Sequence, residues 1–166
     1  MNAIIFDSNT GFTERYAKML GEKTGLKVLN IRDKGSLPKG SEVIYLGWLN
    51  AGGVTGFKKA RKYFNVKALC PVGLTPLDEL PDKDVIKRYG LKDLPVFYLR
   101  GGFDMDKLKG LYKLLMKIMI SMLEKNFKKS GNNDIYLKNR IDGMKNKVDF
   151  VSEENLEPLI DWYNQQ

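Results

Sequence analysis

Three hydroxyl side chains, an amide and a glycine fall within six consecutive residues, Ser8-Asn9-Thr10-Gly11-Phe12-Thr13, with no cation among them. Before them Ala3-Ile4-Ile5-Phe6 reads as a buried strand, and from Thr13 to Leu20 apolar residues recur at helical spacing. A strand that turns directly into a helix collects unpaired backbone N–H groups and the positive end of a helix dipole at one point. With Ser and Thr hydroxyls converging there, that point suits a phosphate. The plainer reading makes Thr13 an ordinary helix cap. A Walker loop would end in Gly-Lys-Ser/Thr and a dinucleotide fingerprint would read G-x-G-x-x-G; the chain contains neither.

The rest of the composition removes chemistry rather than adding it. Histidine is absent from all 166 residues, which excludes Ser-His and Cys-His catalytic pairs and His-ligated zinc. Any hard chemistry must come from a cofactor or from carboxylates, lysines and tyrosines. Cys70 is the single cysteine and lies in an apolar run, so it reads as an inert core thiol with no internal disulfide. Met1-Asn2 leads straight into a strand with nothing resembling a signal peptide, and together these features predict a cytoplasmic protein. The length suits one domain.

The elements that must position the loop follow from hydrophobic patterning. Residues 3–6, 27–31, 42–49, 67–74 and 94–99 read as strands. Residues 14–22, 56–64, 82–89, 107–125 and 153–163 read as helices, while 34–40 is too short and polar for a strong one. Strands alternating with helices predict a parallel sheet covered on both faces, with ligands at the carboxyl ends of the strands.

The 8–13 pattern resembles the Ser/Thr-x-Thr-Gly-x-Thr phosphate loop of flavodoxins, and Ser8, Thr10, Gly11 and Thr13 match it position by position. The resemblance covers nearly the whole chain. It implies a three-layer α/β fold of the flavodoxin-like kind, with a five-stranded parallel sheet of order 2-1-3-4-5. It also implies FMN as cofactor, its phosphate held by Ser8, Asn9, Thr10, Gly11, Phe12 and Thr13 without a cationic side chain. The flavin ring would lie against Trp48, Leu49, Asn50, Ala51, Gly52 and Gly53 after the third strand. Gly73, Leu74, Thr75 and Pro76 after the fourth would form its outer edge. For Trp48 the competing reading is core packing, and for Gly52-Gly53 a simple turn. The loop after the fourth strand lacks the tyrosine that often stacks on FMN in that family. Arg100-Gly101-Gly102 forms a further strand-end loop, whose Arg100 would either meet an anion or face solvent.

Flavodoxins are usually acidic, whereas this chain has a net charge of +8. Residues 107–147 hold eleven Lys/Arg against three acids, so the remainder sums to zero. Within the 107–125 helix, Leu108, Leu111, Tyr112, Leu115, Ile118, Met119, Met122 and Leu123 share a broad arc, with Lys109, Lys113 and Lys117 on another face. Residues 153–163 already supply a final covering helix, with Leu156, Leu159, Ile160 and Tyr163 on one face. The segment at roughly 105–147 is therefore a helical insertion before the last helix of a single domain. Its 112–119 stretch and its charge resemble the flavodoxin branch that contains menaquinone-dependent protoporphyrinogen IX dehydrogenase. That branch implies FMN, a distinctive insertion and work at a membrane. The basic helix admits three readings: a solvated covering helix, a contact with anionic lipid at the inner face of a membrane through residues 107–129, or docking to an acidic partner. Nothing resembles a nucleic-acid module, and a homodimer through the apolar helix stays open. The expected function is electron transfer through the flavin to a redox partner protein. The alternatives are an FMN-dependent oxidoreductase acting on a small hydrophobic substrate such as a porphyrinogen or quinone, and a cofactor-free binding module on the same fold.

Overall fold

Ala3 and Ile5 point to one side of the first strand, Ile4 and Phe6 to the other, and all four are buried. Strands covered on both faces carry continuous apolar runs of this kind. The computed structural model describes residues 1–77, 81–131 and 133–166. In chain order the first elements are β1 (Ala3–Asp7), α1 (Phe12–Thr24), β2 (Lys27–Asn30), a 3₁₀ segment (Ile31–Ser36) and β3 (Glu42–Asn50). There follow β4 (Gly53–Val54), α2 (Phe57–Tyr63), β5 (Asn65–Gly73), α3 (Pro81–Tyr89), β6 (Leu99–Arg100) and β7 (Gly102–Phe103). Then follow α4 (Gly110–Lys129), α5 (Ile135–Lys145), β8 (Val148–Asp149), a 3₁₀ segment (Glu154–Leu156) and α6 (Glu157–Asn164).

The architecture is α/β, with a mostly parallel central sheet flanked by helices. Strand order is β2-β1-β3-β5-β6, and β4 pairs antiparallel with β3 off that path. The sheet thus has six strands where five are expected from the sequence. The addition arises because residues 51–52 form a tight turn and send the chain back along β3. The strand expected at 94–99 is mostly irregular. Only Leu99–Arg100 pairs in a ladder with β5, preceded by an isolated bridge between Leu69 and Val96. Two prolines explain this, since each lacks an N–H that the ladder needs: Pro95 ends the pairing before Val96, and Pro71 of β5 breaks it opposite 97–98.

Two apolar clusters lie on the two faces of the sheet. One joins Ile4, Ile44, Leu46 and Cys70 to Tyr16, Ala17 and Leu20 of α1 and to Leu156 and Leu159 at the C-terminus. The other joins Ile5, Val43, Tyr45 and Leu69 to Phe57 and Ala60 of α2 and Val85 of α3. The final helix covers the sheet as its apolar face implies, with Trp162 against Phe97 at a ring separation of 5.8 Å. Cys70 is buried, and burial pushes its thiol well above its ordinary range, away from nucleophilic use.

The chain divides into two compact units, Met1–Gly101 with Phe150–Gln166, and Gly102–Asp149. The first contains the sheet and its helices. The second is a helical hairpin closed by the β7–β8 ribbon, in which Gly102 pairs with Asp149 and Phe103 with Val148. Its second helix, α5, is not apparent from hydrophobic periodicity, because Gly143 and the polar positions around Ile141 weaken the pattern. Asp134 caps α5 by accepting from the Leu137 N–H at 2.9 Å, and Glu124 of α4 pairs with Lys145 of α5.

Candidate functional site

The carboxyl end of β1 lies between β2 and β3, where strand order reverses. Ser8 to Gly11 lead from it into α1. Gly11 occupies the N-cap with φ 91°, a left-handed conformation open to glycine at little cost. Ser8 Oγ accepts the Gly11 N–H at 3.1 Å and folds the loop back on itself. The serine hydroxyl keeps its own proton to donate. Gly11 itself brings no side chain to cap the first turn of α1. Thr13 is therefore not the helix cap that the plainer reading makes it. It sits at the second helical position and is 1 % exposed, beside the buried Phe12. Asn9 is exposed and Thr10 half-buried, so both face the open side of the loop. A Cβ placed on Gly11 would meet nothing within 4 Å, so the space above the turn is open.

The Asp7 carboxylate closes the base of this region. A Cβ on Gly56 would lie 3.2 Å from Asp7 Oδ2 and would run into the Tyr45 hydroxyl. Gly56 has φ 70°, so shape and backbone both demand glycine there. Tyr45 donates to the Thr55 carbonyl at 2.7 Å, and burial together with the Asp7 charge pushes its phenol far above its ordinary range.

The stretch after β3 is a hairpin rather than an open loop. Leu49 pairs with Val54 and Asn50 with Gly53 around Ala51 (φ 48°) and Gly52 (φ 73°). Two consecutive positive φ values make the two-residue turn whose twist suits antiparallel strands. Thr55 ties it down, its N–H and hydroxyl both donating to the Trp48 carbonyl at 3.0 and 3.1 Å. Trp48 and Leu49 are partly buried; Asn50, Ala51 and Gly52 are exposed. The Gly pair also has a packing role. Tyr89 of α3 accepts the Val54 N–H at 2.9 Å, and a Cβ on Gly53 would meet the Tyr89 hydroxyl at 3.3 Å.

At the end of β5, Gly73 gives room to two neighbours. A Cβ there would lie 2.6 Å from the Tyr98 hydroxyl and 2.9 Å from Leu49 Cδ1. Leu74 is exposed, and Thr75 and Pro76 are half-buried. Sequence pattern does not point to Tyr98, yet it brings an aromatic ring to the strand end whose own loop lacks a tyrosine. Burial pushes its phenol up to about 12, with Thr75 and Arg100 pulling the other way. Thr75 does not meet the Tyr98 hydroxyl in good hydrogen-bond geometry, and among the described residues that buried oxygen has no other partner.

Arg100 is partly buried, and its described contacts are with an aromatic ring and backbone. Its guanidinium lies 3.8 Å from the centre of the Phe150 ring, with Nε buried and unpartnered among the described residues. Its carbonyl accepts from the Tyr16 hydroxyl at 2.6 Å, and Asn155 Nδ2 donates to Tyr16 at 2.6 Å and to the Phe150 carbonyl at 2.9 Å. This polar knot fixes α1 against the edge of the sheet. Sequence offered no signal for it, because its members are 84 and 139 residues apart.

Two concavities stand elsewhere. One of about 540 Å³ lies by Asn65–Lys67 and Leu91–Leu94, where β5 begins, and one of about 460 Å³ lies between α4 and α5. Among the described residues no group of three or more His, Cys, Asp or Glu could hold a metal ion. Nor is any described helix long and apolar enough to cross a membrane. No family model, curated protein or solved structure matches this chain.

Proposed function

We propose that the chain is a flavodoxin-like FMN protein that transfers electrons, holding the cofactor's phosphate at the start of α1. The observation that carries this reading is the glycine-capped first turn of a 13-residue helix, placed at the strand-order reversal with Ser8, Thr10 and Thr13 in the turn and first helical positions. The order β2-β1-β3-β5-β6 supports the finer fold assignment, since the five parallel strands, counted in chain order, run 2-1-3-4-5. The residues fit a phosphate in type: N–H donors, hydroxyls and an open turn at Gly11. The nearby Asp7 carboxylate argues that the anion sits outward, over the turn, rather than against the sheet.

FMN, when bound, supplies the capacity to accept and release electrons. The chain's part is to bind and orient it. Ser8, Asn9, Thr10, Gly11, Phe12 and Thr13 would hold the phosphate, and the 48–53 hairpin and 73–76 segment would flank the ring. The hairpin supports the reading because its two-residue turn, tied to the Trp48 carbonyl by Thr55, brings backbone groups to the same strand end.

The test is a visible absorption spectrum of the purified protein, repeated after adding FMN and desalting, for wild type and Thr10→Asp. Wild type is expected to retain a flavin spectrum. A carboxylate in place of the half-buried Thr10 hydroxyl is expected to weaken retention by at least about tenfold through like-charge repulsion. A wild type that stays colourless would leave a cofactor-free module on this fold, and equal retention by Thr10→Asp would remove the phosphate assignment.

A second reading, an oxidoreductase with a hydrophobic substrate or quinone acceptor, draws on the solvent-facing apolar residues of α4. Turnover of a soluble quinone analogue by the FMN-loaded protein, with saturation in quinone, would favour it over a pure carrier.

A further inference from the structure

The charges of the sheet unit are separated by face. Lys58, Lys59, Arg61 and Lys62 are all exposed on α2, which holds no acidic residue and packs on one side of the sheet through Phe57 and Ala60. Glu153, Glu154, Glu157 and Asp161 are exposed on the segment that packs on the other side through Leu156 and Leu159, and residues 153–166 contain no base. Glu153 meets Lys23, but among the described residues no carboxylate pairs with any of the four α2 cations. Lys34 extends the basic side, its Nζ 4.6 Å from the centre of the Tyr63 ring.

Folding of the helix does not account for this pattern. Lys58 and Lys59 stand at its second and third positions, where the positive end of the dipole disfavours cations. Lys58 and Arg61, Lys58 and Lys62, and Lys59 and Lys62 are three or four residues apart, so like charges adjoin on the helix surface. Departures from local preference of this kind gather at functional sites. Beyond the last turn of α2 the surface becomes concave. The hollow of about 540 Å³ there is lined by Phe64 and Leu91, by Arg61, Lys67 and Lys92, and by one acid, Asp93. Lys67 also meets Glu42 at 3.5 Å, whereas Arg61 and Lys92 have no acidic partner among the described residues.

We propose that α2 and this hollow form a docking surface for a partner protein with an acidic face, whose carboxylates meet the α2 cations and one of whose side chains enters the hollow. Cations without a local counter-charge leave their complement to a partner, and charges separated across the sheet orient its approach. A protein suits the surface better than a nucleic acid. No large aromatic side chain is exposed on α2 for a base to stack on, while a hollow with apolar walls beside charged groups receives an anchoring side chain. The proposal does not depend on the FMN reading.

The test is titration of the isotope-labelled full-length protein with poly-L-glutamate, and separately with oligothymidylate, at low salt and at about 0.15 M salt, following backbone amides by NMR. Two variants accompany wild type: Lys58→Gln/Lys59→Gln/Lys62→Gln, and Lys117→Gln/Lys125→Gln/Lys129→Gln as a charge-matched control in the second unit. All six side chains are exposed, and Arg61 is kept because its guanidinium lies over the Phe57 ring. Polyglutamate is expected to shift the amides of α2 and of residues 90–94 in wild type and control, at both salt concentrations. The α2 variant should bind there about tenfold more weakly. It should unfold no earlier than wild type, since glutamine matches lysine in helix propensity and the like charges are gone. Undiminished α2 shifts in that variant would overturn the proposal, as would wild-type shifts confined to residues 107–147. Earlier unfolding of the α2 variant would also overturn it, because the charges would then serve the fold. Tighter binding of oligothymidylate than of polyglutamate at α2 would assign the face to nucleic acid instead. Self-association of wild type that the α2 variant abolishes would assign it to the acidic side of a second copy.

Discussion

The two units of this chain treat apolar side chains in opposite ways. In the sheet unit, Ile4, Ile44, Leu46 and Leu159 are fully buried on one face of the sheet, and Ile5, Val43 and Leu69 on the other. In the Gly102–Asp149 unit, the buried apolar residues among those described are Phe103, Leu108, Ile120 and Ile141, and α4 leaves its longest apolar stripe in water. The charges differ in the same sense. The second unit holds eleven basic residues against six acidic ones in 48 positions, and the first holds seventeen against fourteen. One unit covers its apolar faces and the other leaves part of one uncovered. Apolar residues left exposed cost little in stability and keep area available for association.

The comparison is tested most strongly by truncating equivalent leucines. Leu159→Ala removes a fully buried side chain and is expected to cost about 2–5 kcal/mol in denaturant unfolding. Leu115→Ala, half-exposed, is expected to stay within about 0.5 kcal/mol of wild type. Equal losses would mean that the α4 stripe is part of the core.

Gly56→Ala tests how tightly the sheet unit is packed at its strand ends. The new methyl would meet the Tyr45 hydroxyl and Asp7 in a left-handed conformation, so unfolding experiments should show a loss of at least ~1–3 kcal/mol. Tyr16→Phe deletes the centre of the knot joining Arg100, Phe150 and Asn155 while keeping the ring. The expected loss is about 1–2 kcal/mol, accompanied by faster amide exchange at Phe150. Unchanged exchange there would show that the knot does not hold the returning chain.

The smallest effect separates the units by pH. Burial alone raises the Asp104 pKa, but the hydrogen bonds from Lys147 and the Asp106 N–H, with the charges of Lys147 and Lys107, hold it below the usual carboxylate range. The hydrogen bond from Lys145 does the same for Glu124. A carboxylate with a lowered folded-state pKa contributes stability above its unfolded value and loses it as pH falls through the folded value. Amide exchange stepped downward through the carboxylate range, below about pH 4, should therefore show α4 and α5 losing protection before the sheet. Simultaneous loss would show that the two units share one acid transition.

Much of the sheet unit was legible because its determinants are local. The apolar runs at 3–6 and 42–49, the turn at 8–11 and the spacing of Tyr16, Ala17 and Leu20 each act within a few residues. Other features were hidden. Ala51-Gly52 gives no strong hairpin signal, since a non-glycine residue rarely takes positive φ, and β4 was missed. Pro95 sits within an apolar run that reads as strand, and Gly143 obscures the pattern of α5. Tyr98 and the Tyr16–Asn155 bond depend on long-range contacts that no window of sequence contains.

By itself, then, the sequence determined the α/β alternation, the hydroxyl-rich turn after the first strand and the concentration of positive charge in residues 107–147. Periodicity and composition are properties of neighbouring residues, and they survive any folding of the chain. Only the tertiary structure decided which apolar faces are covered. The arc that periodicity assigns to one broad surface there is divided, with Leu108 buried and Leu111, Leu115, Ile118 and Met122 turned to water, while the buried Ile120 lies off that arc. An amphipathic pattern states that a helix has a face to bury, but burial requires a partner, and partners are set by packing across the chain.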